Sequence, residues 1–519
     1  MELIQMETNW DLVIIGGGVT GAGVFREAVR SGLKVLLVEK KDFAWGTSSR
    51  SSKMVHGGLR YLKEGKFLLT RTSVRERERL LNEAPGLVEP LEILVPVYSD
   101  HGPGKRSLEI GLSIYGLMAS EKQHSYLNPK LFRSLLPDIK EEHLVGGFRF
   151  WDAKVDDARL VLRLIEEGVA RGGTAVNYMS VEAVLRNAAG AVAGLALKDT
   201  ETGVSVEINT SAVVNATGVW AEKLHPSPRE HLHLRPLRGS HLIFPYSALP
   251  VAHTVSFFHP ADKRPVFISP WEGVVLLGTT DIDHDSDLDQ EPATTMSEAR
   301  YLMEGLHWFF PSFRVGLEQA IACLAGVRPV LSEGKLAPSK ESRENVVWVD
   351  KGLITVTGGK LTTFRKMAVD TLKAARPFIP NLTDNIPEDE SVFAVVPEYG
   401  VVPENLTPSA WRRLCGRYGH AASDLVRQAE LKDLEVIPGT ETLWAELPFV
   451  AGREKIRHLA DLLLRRVRIG ILTPEGGFPY MERIQGLCQP KLTWDERRWE
   501  AEKQAYAELH RRAHVVNKE

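Results

Sequence analysis

The sequence predicts an α/β protein with three parts: a Rossmann-like dinucleotide-binding domain, an antiparallel β substrate domain and an all-α C-terminal domain. Three features carry that expectation. Residues 11–39 read as a βαβ unit, "DLVIIGGGVTGAGVFREAVRSGLKVLLVE". From 232 to 283 the texture changes to short alternating segments such as "HLIFPY", "RPVFISPW" and "VVLLGTTD", the pattern of an antiparallel sheet. Beyond about residue 385, "PSAWRRLCGRYGHAASDLVRQAE" and "REKIRHLADLLLRRVRIGIL" have helical spacing. A chain of 519 residues also exceeds what one core usually organises, so two or three domains are expected.

The βαβ unit is specific in its details. A continuously apolar strand over 11–15 is what a strand buried in a parallel sheet should be. It runs into a GxGxxG turn at Gly16, Gly18 and Gly21. Gly16 makes the tight turn, Gly18 lets a pyrophosphate approach the backbone, and Gly21 allows the helix to pack on the strand. The N–H groups at the helix start receive the phosphates. Gly32 stops that helix, and Glu39 closes the second strand eighteen residues past Gly21, where a carboxylate can bond ribose hydroxyls. A bound dinucleotide follows. NAD and FAD recognise this unit alike, so it does not choose between them.

Composition narrows the function classes. Apolar residues make up 43% and charged residues 25%, ordinary for a globular enzyme. A formal net charge of −3 argues against nucleic acid as a partner. The three cysteines, Cys323, Cys415 and Cys488, form no CxxC, so a reducing compartment and no metal site are expected. The start "MELIQMETNW" lacks the apolar run of a signal peptide, and no window approaches the ~20 apolar residues of a spanning helix. The expected location is cytoplasmic.

Residues 48–62, "SSRSSKMVHGGLRYL", are too polar for a core. Thr47, Ser48, Ser49 and Ser52 offer hydroxyls for the polar chain of a dinucleotide leaving the first helix. Gly57 and Gly58 would let backbone approach a flat ring, and Arg60 would present a cation with fork geometry to an anionic substrate. On residue types alone a serine-rich surface loop is an equal reading.

The wording decides between them. "TSSRSSKMVHGGLRYL" resembles the FAD-dependent, respiratory glycerol-3-phosphate dehydrogenases, at the same distance from "GGGVTGAG". "VDDARLVL", "VVNATGVW", "LRGSHLIFP", "DKRPVFISPW", "LLGTTDID", "GVRPVL" and "GGKLTTFRKMA" are similar to that family in the same order, and "ADLLLRRVRIGIL" looks like its C-terminal helical domain. The resemblance implies FAD as cofactor. It also implies oxidation of sn-glycerol 3-phosphate to dihydroxyacetone phosphate by hydride transfer to flavin N5, and electrons passed to a membrane quinone. The ATG turn ending at Gly218 is typical of flavoproteins and favours FAD over NAD. Arg60, Tyr61, Thr280, Asp281, Arg328, Arg343 and Lys360 match substrate positions of the family. Gly358, Gly359, Leu361 and Thr362 fall by the flavin, where the N-terminus of a helix and Lys360 would stabilise negative charge. Arg328 and Lys360 would also polarise the reacting oxygen. His56 and His259 are the candidate bases, each equally readable as a structural histidine.

The remaining features have plainer readings. Asp156 and Asp157 precede a helix, and a cap explains them better than catalysis. The acidic "DIDHDSDLDQE" lacks the glycine and terminal glutamate of a calcium loop and reads as a solvated turn. A basic helix after Lys360, together with Arg465, Arg466 and Arg468, suggests a cationic surface for peripheral attachment to the inner face of the membrane. The expected segments are 8–100, 151–225 and 331–384 for the FAD domain, 101–150 and 226–330 for the substrate side, and 385–519 for the helical domain, with a hinge at 385–393. A glycerol-3-phosphate oxidase using oxygen shares every motif named. A non-catalytic or nucleic-acid-acting flavoprotein is a more distant alternative, and a homodimer is compatible with the chain.

Overall fold

The computed structural model describes residues 7–63, 65–119, 124–225, 233–332, 344–383, 386, 390–396 and 401–516. The side chains of Arg60 and Lys63, all of Arg343 and residues 385 and 387–389 of the expected hinge lie outside the described residues.

A six-stranded sheet organises the nucleotide-binding part. Its order is Asn345–Asp350, Leu353–Gly358, Val213–Asn215, Leu12–Ile15, Val35–Glu39, Thr174–Asn177. Only the pair at the Asn345–Asp350 edge is antiparallel. Alternation along Leu12–Ile15 feeds two cores. Leu12 and Ile14 pack with helices Val19–Arg30, Asp157–Ala170 and Phe364–Ala375. Val13 and Ile15 pack under a three-stranded meander, Met179–Arg186, Val192–Asp199 and Ser205–Asn209. The glycines act as their spacing predicts. Gly16 has φ +110°, and a Cβ at Gly21 would lie 1.9 Å from the Gly16 carbonyl oxygen, so only glycine lets the helix approach the strand this closely.

The second sheet has ten strands and is almost wholly antiparallel. Its centre is the expected set, His233–Pro245, Thr254–Phe258, Pro265–Trp271 and Val274–Gly278. It also recruits Val88–Tyr98 and Leu144–Val155, so the expected boundary at 150 cuts through a strand, and Val88–Tyr98, expected in the FAD domain, belongs to this sheet. Pro90 and Pro96 disguise Val88–Tyr98 in the sequence, since proline speaks against a central strand. Ala322–Ser332 pairs along His233–Pro245 and places Arg328 opposite Leu237. One face of this sheet packs on helix Met296–Phe309. The other packs, through Ile243, Leu276 and Leu324, on the C-terminal helices.

Those helices overturn one expectation. Arg465, Arg466 and Arg468 are buried, at 2%, 0% and 2% exposure, and form no cationic surface. Arg466 donates to both Asp42 carboxylate oxygens at 2.6 and 2.8 Å, and Arg465 adds a bond to Asp42 at 2.5 Å. Burial would raise the Asp42 carboxyl, but Arg466 and Arg465 hold it down at about 2. Arg468 pairs with Asp157. The basic helix after Lys360 is likewise a core helix. Phe364, Ala368 and Leu372 are buried, Arg365 is buried, and Lys366 pairs with Asp370 one turn on. Asp156 caps Asp157–Ala170 by accepting from Arg159 N at 3.2 Å, as read from sequence. Among the described residues no helix is long and apolar enough to cross a membrane, and no group of three His, Cys, Asp or Glu side chains is placed to hold a metal ion.

His458 joins the C-terminal helices to the meander. Its Nδ1 lies 3.1 Å from Glu502 and its Nε2 3.3 Å from Glu201. Burial opposes its charge, but the Glu502 hydrogen bond, with Asp461, Glu502 and Glu201 nearby, raises its pKa to about 9. A histidine raised in the folded state stabilises fully below its unfolded value near 6.5 and loses that contribution as pH rises through about 9. We therefore expect stability to fall by at most about 3 kcal/mol between those limits from this group. In denaturant titrations at both pH values His458→Gln should flatten the slope; an unchanged slope would show that the pair does not couple the two regions.

Candidate active site

Between the two sheets lies a cavity of about 1570 Å³, larger than the ~300–1,000 Å³ of a drug-sized ligand site. At the parallel sheet it is lined by Gly16, Gly18, Glu39 and Gly218, and at the antiparallel sheet by Lys263, Arg264, Asp281 and Arg328. The stretch 46–58 runs between the two groups.

At the nucleotide end, the residues form a trough that only small side chains leave open. A Cβ at Gly218 would meet nothing within 4 Å, and one at Gly18 only Ser48 Oγ at 3.2 Å. Val19 N, at the start of the first helix, donates to Ser48 Oγ at 2.9 Å. Glu39 accepts from Gly17 N at 2.7 Å through one oxygen and from Lys41 N at 2.9 Å through the other. Burial raises its pKa against those two amides, and each oxygen retains acceptor capacity for a ribose hydroxyl. Trp220 also lines the cavity, and its buried indole N–H has no hydrogen-bond partner among the described residues. A glycine-floored trough, a helix N-terminus, an acid at the second strand and an unused donor fit FAD.

The connecting loop is held from outside the cavity. Thr47 donates to the Val327 carbonyl, which ties it to the residue before Arg328. Ser52 Oγ lies 2.9 Å from His241 Nε2; burial first, then Arg328 and Lys53, lowers the His241 pKa to about 3, so it is neutral. Ser49 is turned away, contrary to expectation. It is buried off the cavity, and its carbonyl accepts from Lys53 at 2.7 Å and Arg468 at 3.0 Å.

At the other end, Arg328 donates to Asp281 at 3.0 Å and to Thr279 Oγ1 at 3.1 Å. A Cβ at Gly239 would stand 2.2 Å from its guanidinium, so that glycine makes room for it. Lys360 donates to Ser73 Oγ at 2.5 Å and lies 4.3 Å from the Tyr61 ring centroid. His56 lines the cavity, with its main chain clasped by Thr362, which accepts from His56 N and donates to His56 O, both at 3.2 Å. Gly358, Gly359, Leu361 and Gly58 line it too.

Three further expectations do not hold. His259 is fully buried and off the cavity: Nε2 donates to Tyr301 O at 2.8 Å, Nδ1 accepts from Ala261 N at 3.2 Å, and the ring stacks on Tyr301. With both nitrogens occupied, it is a structural histidine. Thr280 points inward, accepting from Ser240 N and donating to Glu298 at 2.7 Å; Thr279 faces the cavity instead. Gly57 is small because of Tyr115, whose hydroxyl would lie 2.2 Å from a Cβ there, rather than to admit a flat ring. Lys263 and Arg264 line the cavity as well, and the signal for them in the sequence is "DKRPVF", which sets both cations immediately before a strand.

This combination defines an FAD-dependent oxidoreductase. Residues 11–365 match the family described as FAD dependent oxidoreductase, and residues 358–499 match the C-terminal domain of alpha-glycerophosphate oxidase. The chain belongs to the FAD-dependent glycerol-3-phosphate dehydrogenase family. It is 34% identical over 508 residues to glycerol-3-phosphate dehydrogenase 2 of Mycobacterium tuberculosis, covering 94% of this chain and 85% of that one. Over 482 residues it is 36% identical to the aerobic glycerol-3-phosphate dehydrogenase of Staphylococcus aureus, covering 88% and 86%. The glycerol-3-phosphate dehydrogenase of Bacillus halodurans complexed with FAD matches its fold with a TM-score of 0.76 at 26% identity, over 97% of this chain and 95% of that one.

The trough yields a direct test. Gly18→Val adds a branched side chain where Gly18 borders open cavity, so the purified variant should be colourless while its far-ultraviolet circular dichroism stays that of the wild type. Normal flavin content in that variant would place the cofactor elsewhere.

Proposed function

We propose that this protein oxidises sn-glycerol 3-phosphate to dihydroxyacetone phosphate and delivers the electrons to a membrane quinone at the cytoplasmic face. The observation that carries the reading is the convergence of Arg328, Lys360, Lys263 and Arg264 on the cavity that also contains the dinucleotide trough. A phosphate monoester bears nearly two negative charges, and holding it away from water takes several fixed cations.

Arg328 suits that task because Asp281 and Thr279 fix its fork in place, so little side-chain freedom is lost when substrate binds. Tyr61, on the short helix Leu59–Lys63, lines the same cavity, and Arg60 on that helix joins the proposed set. Arg343 completes the proposed set from outside the described residues. FAD, held by the trough at Gly16, Gly18, Glu39 and Gly218, would supply at flavin N5 the acceptor for hydride from the carbinol carbon. Lys360 polarises the carbinol oxygen, and the helix beginning after it contributes positive potential where reduction builds negative charge. With His259 committed to structure, His56 is the histidine left to take the hydroxyl proton, and Thr362 holds its backbone in position. The family description of the C-terminal part names an oxidase, so oxygen is the competing acceptor; peroxide formed stoichiometrically with product in air would favour it over quinone.

Arg328→Ala should raise KM and lower kcat. Losing one charge-assisted hydrogen bond costs about 1.5–3 kcal/mol, roughly tenfold to a hundredfold in affinity. Lysine should restore only part of this, because an ammonium lacks the bidentate fork. Flavin content serves as the folding control and should stay normal. Glycerol, lacking the phosphate, should be a poor substrate whose turnover responds weakly to the change. Wild-type kinetics with sn-glycerol 3-phosphate in Arg328→Ala would remove Arg328 from the phosphate site.

A further inference from the structure

Among the cations of the cavity, Lys263 differs in what holds it. Arg328 and Arg264 both reach the Asp281 carboxylate, at 3.0 and 3.7 Å. Lys263 instead donates to His101 Nδ1 at 2.6 Å and to the Pro260 carbonyl at 3.4 Å. Among the described residues no carboxylate pairs with it. Asp262, its neighbour in the chain, is turned elsewhere: its carboxylate accepts from the Tyr301 hydroxyl at 2.9 and 3.1 Å and from Arg264 N at 3.1 Å.

His101 is placed for this contact. Its ring is buried, with centroids 4.6 Å from Trp308 and 5.7 Å from Phe309. Its Nε2 lies 2.6 Å from the Phe258 carbonyl oxygen. A carbonyl only accepts and an ammonium only donates, so the ring carries its proton on Nε2 and turns a lone pair toward Lys263. His101 therefore fixes the ammonium without cancelling its charge. The backbone agrees. Lys263 lies in the turn between Thr254–Phe258 and Pro265–Trp271 at φ +62°, where glycine or asparagine is at ease and a lysine is strained. Strain of this kind persists where a site uses it. An ammonium has three donors; His101 and Pro260 take two, which leaves one for a ligand in the cavity that Lys263 lines.

We propose that His101 is a positioning residue for anion recognition: through Lys263 it presents a fixed positive charge, beside Arg264 and Arg328, to the phosphate of sn-glycerol 3-phosphate. The proposal rests on the phosphate reading above and adds the residue that sets the geometry of one of its cations. A cation gripping the phosphate, away from the reacting carbon, binds substrate and transition state alike. Its loss is therefore read in KM rather than in kcat.

The test compares two replacements in the holoenzyme, with a water-soluble dye as acceptor. His101→Gln keeps a donor for the Phe258 carbonyl and removes the acceptor at the Nδ1 position. His101→Asn keeps that acceptor and gives up the Phe258 bond. His101→Gln should raise KM for sn-glycerol 3-phosphate about tenfold, the lower end for losing one charge-assisted hydrogen bond, with kcat falling by no more than about twofold. The inhibition constant of inorganic phosphate should rise by the same factor. His101→Asn should recover most of that affinity. Lys263→Met should show the same rise, and adding His101→Gln to it should change nothing more. A histidine that merely ties the turn to Phe258 predicts the reverse order, with His101→Asn impaired and His101→Gln near wild type. That order, or additive effects in the double variant, would overturn the proposal. Should a histidine variant lose its flavin, Lys263→Met decides alone, and a wild-type KM there would overturn it too. A wild type that neither oxidises sn-glycerol 3-phosphate nor is inhibited by inorganic phosphate would instead overturn the phosphate reading beneath it.

Discussion

The carboxylate of Asp157 holds together what the rest of the site needs. It is fully buried, accepts from Lys53 Nζ at 2.8 and 2.9 Å and from Ser51 N and Oγ at 2.8 and 2.7 Å, and pairs with Arg468. Taking so many ionised groups out of water is costly, and such a cluster persists only when its hydrogen bonds are nearly all satisfied. Burial and the neighbouring Arg468 push Lys53 down to about 8 against the pull of Asp157. What the cluster provides is position. It fastens the loop at Ser49–Lys53 to the helix on one side and to the C-terminal region on the other.

From that anchor the loop's hydroxyls reach the three parts of the site. Ser48 meets the first turn of the nucleotide-binding helix, Thr47 the strand next to Arg328, and Ser52 the neutral His241 of the antiparallel sheet. The trough lies on the parallel sheet and Arg328, Lys263 and Arg264 lie on the antiparallel one, and this loop runs between them. Hydride transfer demands reacting atoms within about 3–3.5 Å of each other. The C-terminal helices therefore help to position this loop without lining the cavity, through Arg468 on one carboxylate and one carbonyl.

Local rules made much of this legible in the sequence. The βαβ unit declared itself because glycine spacing, apolar runs and a terminal acid are short-range features, and Asp156 as a cap is another. Family wording added Arg328, Lys360 and His56, all of which line the cavity. What failed depended on distant partners. Arg465 and Arg466 look like a surface run until Asp42, more than four hundred residues earlier, is folded beside them. Thr279 and Thr280 differ only in which way each points, and Glu298 on another helix decides that. His56 and His259 were equivalent as residue types; the stacked Tyr301 separates them.

The proposed activity requires a single cavity to hold both the flavin and a phosphate-bearing alcohol. Anaerobic titration of oxidised holoenzyme with sn-glycerol 3-phosphate, followed through the visible flavin absorbance, tests it with no electron acceptor present. Bleaching should be stoichiometric with substrate and accompanied by dihydroxyacetone phosphate, with little change on adding glycerol at the same concentration. A spectrum that stays oxidised in excess sn-glycerol 3-phosphate, or that bleaches equally well with glycerol, would contradict it.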